Sequence, residues 1–513
     1  MSTAGRWMPF TDPRPGDGAA WTSSTVRTSV WLVVVALICV ALADFEIRSI
    51  SPWAELGRFA RGLIQPDFTT LDTAAVALLR TVAFAFTGVG LAAVVGMGLA
   101  LIFHSRLVRG ACAFLRGIHE LFWALIFLQF FGLHPLTGVL AIALPYAAIF
   151  ARVYSEILEE GDDRPARTLP AGSGLISTFW YARVPDVWAN LMAYTSYRLE
   201  CGMRSSAILG FVGMPTLGFY LETAYGEGVY GEVGMLLLLF FALIASLRLW
   251  VRPRLVPLYL LAAPWFLGTG LPIVWGNAQR FFTEDIVPAP LRHGEGLAGL
   301  GPWLTDLLMH QALPGIAATL VLTQIALVVT GALALVAFPL ISRLFAGRIA
   351  RLGGHSLLII GRSTPEYLLA YILLQLWGPS VLPAVVALAI HNGAIIGHLV
   401  GRQSNELSLR PDAVGGVDRY THEVVPRLYR PFLAFLLYRW EIIMRETAIL
   451  GILGIASLGF YVDSAIQQMR FDRAMVLILI TALLNMAVDA VARRMRRHLQ
   501  LRTSPEASTP QTP

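Results

Sequence analysis

The sequence predicts an all-α polytopic membrane protein of about 12 transmembrane helices, arranged as two parallel six-helix repeats. Three observations carry this. The 513-residue chain is 56% hydrophobic and only 14% charged, against about 25% charged in an ordinary globular protein. Apolar runs long enough to cross a bilayer recur from end to end. Finally, residues 197–220 (YRLECGMRSSAILGFVGMPTLGFY) and 438–461 (YRWEIIMRETAILGILGIASLGFY) match without a gap at 14 of 24 positions, offset by 241 residues. Shared Tyr, Arg, Glu and Gly are not what two unrelated apolar segments have in common, so the chain is an internal duplication.

Taken in order, residues 1–28 form a polar tail, presumed cytoplasmic under this topology, and 29–43 form a first span. Its ALAD ending resembles a signal-peptide cleavage site, but the long tail ahead of it favours an uncleaved helix. Further spans are predicted near 75–103, 119–134, 136–153, 188–212 and 230–248, completing a first half over 29–250. The second half, 251–498, repeats the order with spans near 256–275, 313–342, 363–378, 381–400, 430–455 and 473–492. Residues 499–513 form a Ser/Thr/Pro-rich tail expected to be disordered.

With the N-terminus inside, the Arg-rich segments 106–116, 248–254, 343–351 and 494–502 all fall on the cytoplasmic side. An even number of spans per half makes the repeats parallel, related by an axis along the membrane normal.

Composition also excludes functions. The chain has no Lys, so it cannot contain the P-loop G-x-x-x-x-G-K-S/T; ATP, if used, is bound by another subunit. Cys39, Cys112 and Cys201 have no pair spacing and read as core residues. The histidines show no metal-ligand spacing, and no nucleophile elbow or H-E-x-x-H occurs. The expectation is a non-enzyme with no catalytic residue, no metal and no nucleic-acid surface.

Two constellations remain. Glu200 and Arg204, like Glu441 and Arg445, stand four residues apart on one helix face inside a membrane span. Together with Arg198 and Arg439 they either contact the other half as structural pairs or line a pathway, since buried charge is expensive in a membrane. Glu120 and Glu366 stand at helix starts, where a carboxylate suits the dipole.

The second constellation is cytoplasmic. Loops 155–187 and 402–428 each have acids early, a central Gly and a later Val-Pro: Glu156, Glu159, Glu160, Gly172, Gly174 and Pro185 in the first, Glu406, Gly415, Gly416 and Pro426 in the second. The pattern reads as helix, turn, helix, with each Pro starting the return into the membrane.

These loops resemble the acidic-then-glycine coupling motif of ABC transporter permeases. The YRxExxxR…AxLGxxG block that follows resembles the phosphonate/phosphite branch of that family, as do RGIHELFWALIF (116–127), GLHPLTGVLAIAL (132–144) and RSTPEYLLAYIL (362–373). The resemblance implies a type I ABC importer permease fold, here with two halves fused in tandem. It further implies a small phosphorus oxyanion as substrate: a phosphonate, phosphite or phosphate ester. Implied partners are two ATP-binding cassette ATPase subunits, which would hold the ATP and Mg, and an extracytoplasmic binding protein. The implied location is a bacterial inner membrane.

The chain departs from the family pattern at Met214-Pro215-Thr216 and Ile455-Ala456-Ser457, at His119 where the other half has Pro365, and in a second loop that is shorter and begins Arg402-Gln403. An ion-driven secondary transporter of two six-helix repeats also accounts for the helix count and the buried carboxylates. It does not account for paired glycine-centred loops.

Overall fold

The structure is a computed structural model; it describes residues 24–47, 51–162, 164, 168, 173–252, 254–409 and 415–501. Gly172 and most of both tails therefore lie outside the described residues.

In the first half the principal helices are α1 (Ser24–Leu42), α2 (Pro52–Ile64), α3 (Leu71–Leu101), α4 (Arg106–Gly117), α5 (Glu120–Phe131), α6 (Pro135–Glu160), α7 (Val184–Ile208), α8 (Leu217–Gly226) and α9 (Tyr230–Trp250). The second half has α10 (Val256–Ala262), α11 (Gly296–Leu307), α12 (Leu313–Ala337), α13 (Arg348–Ser363), α14 (Glu366–Trp377), α15 (Val381–Ser404), α16 (Val425–Ile452), α17 (Leu458–Gln467) and α18 (Phe471–His498). No strand occurs among the described residues.

Seven helices are long and apolar enough to cross a membrane, and three bent pairs raise the number to ten. Helix α16 is excluded from that tally by its charges, and Val256–Phe266 by its length. With α16 the number is eleven, and the short helix Val256–Phe266 stands where the twelfth was expected.

Two expected boundaries move. The span predicted over 256–275 stops at Phe266, because Pro264, Gly268, Gly270 and Pro272 follow in close succession. The span predicted over 313–342 instead belongs to a 45-residue helical run, Gly296–Leu340. It passes through a π-helical turn at Leu308–Ala312.

Each half contains an elbow. Helices α4 and α5 meet at 90°, and α13 and α14 at 92°. Helices α4 and α13 are the Arg-rich, acid-free segments seen in the sequence. They bury only a few residues, Cys112 and Gly117 in α4 and Gly354 and Leu358 in α13.

The first helix of each half packs on the other half. Gln324 of α12 donates to the Leu32 carbonyl of α1 at 2.9 Å, and Val381 N–H donates to the Asp44 carbonyl just beyond α1 at 3.1 Å. Reciprocally, the Tyr259 ring of α10 stands edge-on to Phe86 of α3, centroids 5.5 Å apart. Leu260 closes over Gly90 there, leaving no room for a Cβ.

The duplicated block closes into a tight helical hairpin twice. Gly210 lies against the Phe219 backbone and Gly218 against the Ala207 carbonyl; Gly451 and Gly459 stand in the same relation to Phe460 and Ala448. The turn residues Gly213 and Gly454 have φ of 84° and 85°, which only glycine adopts readily. Thr81 accepts from Leu217 N–H at 2.9 Å and Thr319 from Leu458 N–H at 2.8 Å. A hydroxyl of the second span thereby holds the N-terminus of α8 or α17. The shared glycines of the repeat are thus contact residues between backbones.

Candidate functional site

A cavity of about 290 Å3 lies between the halves. Helices α6 and α7 form one wall, α15 and α16 the other, and the starts of α5 and α14 project between them. The cavity reaches Arg152 and Glu156, towards the C-terminal end of α6. Arg152 pairs with the exposed Glu156 there at 3.0 Å.

Four arginines from equivalent positions line this space, Arg198 and Arg204 from α7 and Arg439 and Arg445 from α16. Among the described residues, none has a carboxylate within ion-pair distance. The i,i+4 pairs drawn from the sequence do not form. Glu200 makes no ion pair with Arg204 and does not line the cavity, while Glu441 lines it but turns to Arg116 at 3.4 Å. Sharing a helix face brings two Cβ atoms near, yet long side chains go where the tertiary structure offers acceptors.

Those acceptors belong to the opposite half. Arg204 Nη1 donates to the Arg362 carbonyl at 3.4 Å, and Arg445 Nη1 donates to the Arg116 carbonyl at 3.2 Å. Arg116 and Arg362 occupy matching positions at the elbows. Arg116 itself bonds Asp489 of α18 at 2.7 Å, and Asn485 donates to the neighbouring Gly117 carbonyl at 2.6 Å. Asp489 also pairs with Arg493. The first elbow is thus clasped to the second half by charge.

The two walls differ. On the first, Arg198 is caged by Tyr146, Tyr194 and Tyr197, its guanidinium 5.8, 5.2 and 5.6 Å from their ring centroids. Ser205 donates to Glu120 at 2.7 Å, so the 2.9 Å contact between Tyr146 and Ser205 has the tyrosine as donor. On the second, Asn392 bridges an arginine and an acid, accepting from Arg439 at 3.3 Å and donating to Glu446 at 2.9 Å.

Glu366, His391 and Glu446 are buried and bring their ligand atoms within 4.8 Å of one another. They do not suit a resident cation. His391 Nδ1 faces the Thr364 carbonyl at 2.8 Å and must carry the hydrogen. Its Nε2 lone pair therefore accepts from Arg204, 3.2 Å away, which places a guanidinium where a metal would bind.

Glu120 and Glu366 are the first residues of α5 and α14, as their capping role requires, and both also face the cavity. His119, where the other half has Pro365, caps α5 by accepting from Leu121 N–H at 3.2 Å. Sequence reasoning missed Tyr146, Ser205, His391, Asn392 and Glu446. Comparing the halves holds the signal: Glu446 stands opposite Ser205, and His391-Asn392 opposite Pro145-Tyr146.

The residues expected from the sequence to couple to an ATPase lie apart from the cavity, Glu156 excepted. Glu159 accepts from Ser155 at 3.1 Å, and Glu160 ends α6 exposed. Gly174 and Glu406 are exposed. Gly415 is exposed too, and its neighbour Gly416 has φ 70°. Pro185 and Pro426 are the second residues of α7 and α16, each just after a π-helical turn, Phe179–Arg183 and Arg419–Val424. They sit within continuous helical paths, where a wide turn tolerates the missing N–H. Tyr420 anchors the second turn, donating to the Leu335 carbonyl at 3.0 Å and stacking on Phe338. Burial raises its phenol above the ordinary value.

Residues 335–501 match the family described as binding-protein-dependent transport system inner membrane component. This last third of the chain is similar to the membrane permeases of that family. The putative phosphite transport system permease protein HtxE of Stutzerimonas stutzeri is 32% identical over 152 residues, covering 29% of this chain and 58% of that protein. The phosphate-import permease protein PhnE of Mycolicibacterium smegmatis is 25% identical over 461 residues, covering 83% of this chain and 86% of its own length. The phosphite transport system permease protein PtxC of Stutzerimonas stutzeri is 25% identical over 241 residues, 45% of this chain and 87% of its own. The long PhnE match agrees with two permease halves in tandem. No solved structure matches the chain.

Proposed function

We propose that this chain is the transmembrane subunit of an ATP-driven importer for a small phosphorus oxyanion: a phosphonate, phosphite or phosphate ester, or phosphate itself. The observation that carries the reading is the set of four arginines without carboxylate partners, two from each half, facing one cavity. Guanidinium groups held in a low-dielectric lumen offset the desolvation of a passing anion. The names of the relatives point to the same class of substrate.

Two ATPase subunits, carrying ATP and Mg, dock on the loops around 155–187 and 402–428 in the inner membrane of a bacterium, and an extracytoplasmic binding protein delivers the anion. Closure of the ATPases drives alternating access between the halves.

The test is reconstitution. The chain purified alone should not hydrolyse ATP, and with its matching ATPase it should form a complex of one permease to two ATPase subunits. Proteoliposomes containing that complex and the binding protein should take up radiolabelled phosphate or phosphonate only with ATP. Uptake driven by an ion gradient without ATP, or ATP turnover by the chain alone, overturns the reading.

A further inference from the structure

The cavity holds carboxylates as well as arginines that have no carboxylate partner. Glu120 accepts from Ser205 through one oxygen and stands 3.8 Å from His119 Nε2 through the other, and Glu446 accepts from Asn392 through one. Glu366 accepts no hydrogen bond among the described residues; its nearest cation-forming neighbour is His391, 3.8 Å away. Glu366 and Glu446 stand within the 4.8 Å cluster, and all three acids line the cavity. A purely cationic lumen would favour any small dianion equally. Acceptors beside donors demand a ligand that offers both anionic oxygens and a hydroxyl hydrogen.

We propose that Glu366 and Glu446, with Glu120 across the cavity, select oxyanions that retain a P–O–H group, such as hydrogen phosphate, over fully deprotonated tetrahedral anions such as sulfate. The inference rests on the proposed anion pathway. Arginines take the charged oxygens while a carboxylate accepts the hydroxyl hydrogen. Sulfate at neutral pH has no hydrogen to give, so it leaves a buried acceptor unpaired and sets oxygen against oxygen. A site built to accept a substrate hydroxyl rejects an analogue lacking it strongly.

Thermal unfolding of the full-length permease in detergent tests this without the binding protein, whose own selectivity masks the lumen's. Inorganic phosphate and sodium sulfate are titrated at neutral pH and constant ionic strength, with chloride as the baseline, since an anion bound by the folded state raises the Tm. Phosphate should act at a concentration about tenfold or more below that of sulfate. In Glu366→Gln and Glu446→Gln, whose amides can donate to sulfate, the two anions should come within about threefold. Arg445→Met should lose the response to both.

Equal action of the anions on the wild-type chain overturns the selectivity and leaves the anion pathway standing. Discrimination unchanged in both Gln variants overturns it too. A phosphate response that requires added Mn2+ or Mg2+ and vanishes with chelator assigns the cluster to a metal instead. If neither anion shifts the Tm, the anion-pathway reading itself fails.

Discussion

Arg204 reaches across the cavity to the backbone carbonyl of Arg362 at 3.4 Å, and the twin bond from Arg445 to Arg116 spans 3.2 Å. Each half holds its arginine in place with an elbow from the other. Relative motion of the halves therefore moves the very cations that face the lumen.

The crossing bonds separate Arg204 from Glu200. Arg204→Met should lower ATP-driven uptake by about 10- to 100-fold, the loss of one charge-assisted contact in a buried site. Adding Glu200→Gln should restore nothing, because the two groups are not partners. Recovery of transport in the double variant would return the pair to a structural role.

Arg116 holds Asp489 and Glu441, and their side chains are nearly enclosed. Arg116→Met should destabilise the protein by about 1–3 kcal/mol, because it strands Glu441 and leaves Asp489 with Arg493 alone. Glu441→Gln in the same chain should recover a good part of that. Denaturation midpoints in detergent read both effects, and an unchanged midpoint for the single variant contradicts the clasp.

Gly218→Ala and Gly459→Ala place a methyl group against the carbonyls of Ala207 and Ala448. Overpacking of this kind costs about 1–3 kcal/mol or more. Both variants should lower the Tm by similar amounts, since the hairpins are equivalent. A large loss in one half and none in the other would show that the hairpins bear unequal strain.

For the glycines of the proposed coupling loops, the backbone geometry predicts a different order of sensitivity from the sequence. On sequence alone the longer, more acidic first loop is the more sensitive one. Gly416, however, has φ 70°, where a side chain costs about 1–2 kcal/mol, whereas a Cβ on Gly174 meets nothing nearer than Ser177 Oγ at 4.0 Å. Gly416→Val should uncouple ATP hydrolysis from uptake in the assembled importer, and Gly174→Val should stay close to wild type. The reverse order of defects would favour the sequence-based expectation.

The membrane class and the duplication were legible because hydropathy and residue identity are local properties, whereas the elbows of 90° and 92° after Gly117 and Ser363 were not read from the sequence. Nor was the path of α1 onto α12: nothing along residues 24–42 says which half offers Gln324 as a donor to Leu32. The same limit applied to the site. Spacing put Glu441 and Arg445 on one face, but their partners are set by Arg116 and Asp489, distant in sequence and supplied only by packing. Helix ends failed where breakers cluster, as after Phe266, and where a π turn lets a helix run on, as at Leu308–Ala312.

Two identical subunits around a two-fold axis must present every near-axis residue twice, so a carboxylate added at one wall confronts its own copy at the other. Joining the halves in one chain lifts that constraint. Glu446 faces a lumen whose corresponding position is Ser205, and Asn392 answers to Tyr146. A tetrahedral ion in a two-fold lumen has paired, degenerate poses; here the degeneracy is broken, a statistical loss of RT ln 2, about 0.4 kcal/mol. In exchange, an ion with one organic or protonated corner has a preferred way to point as it crosses.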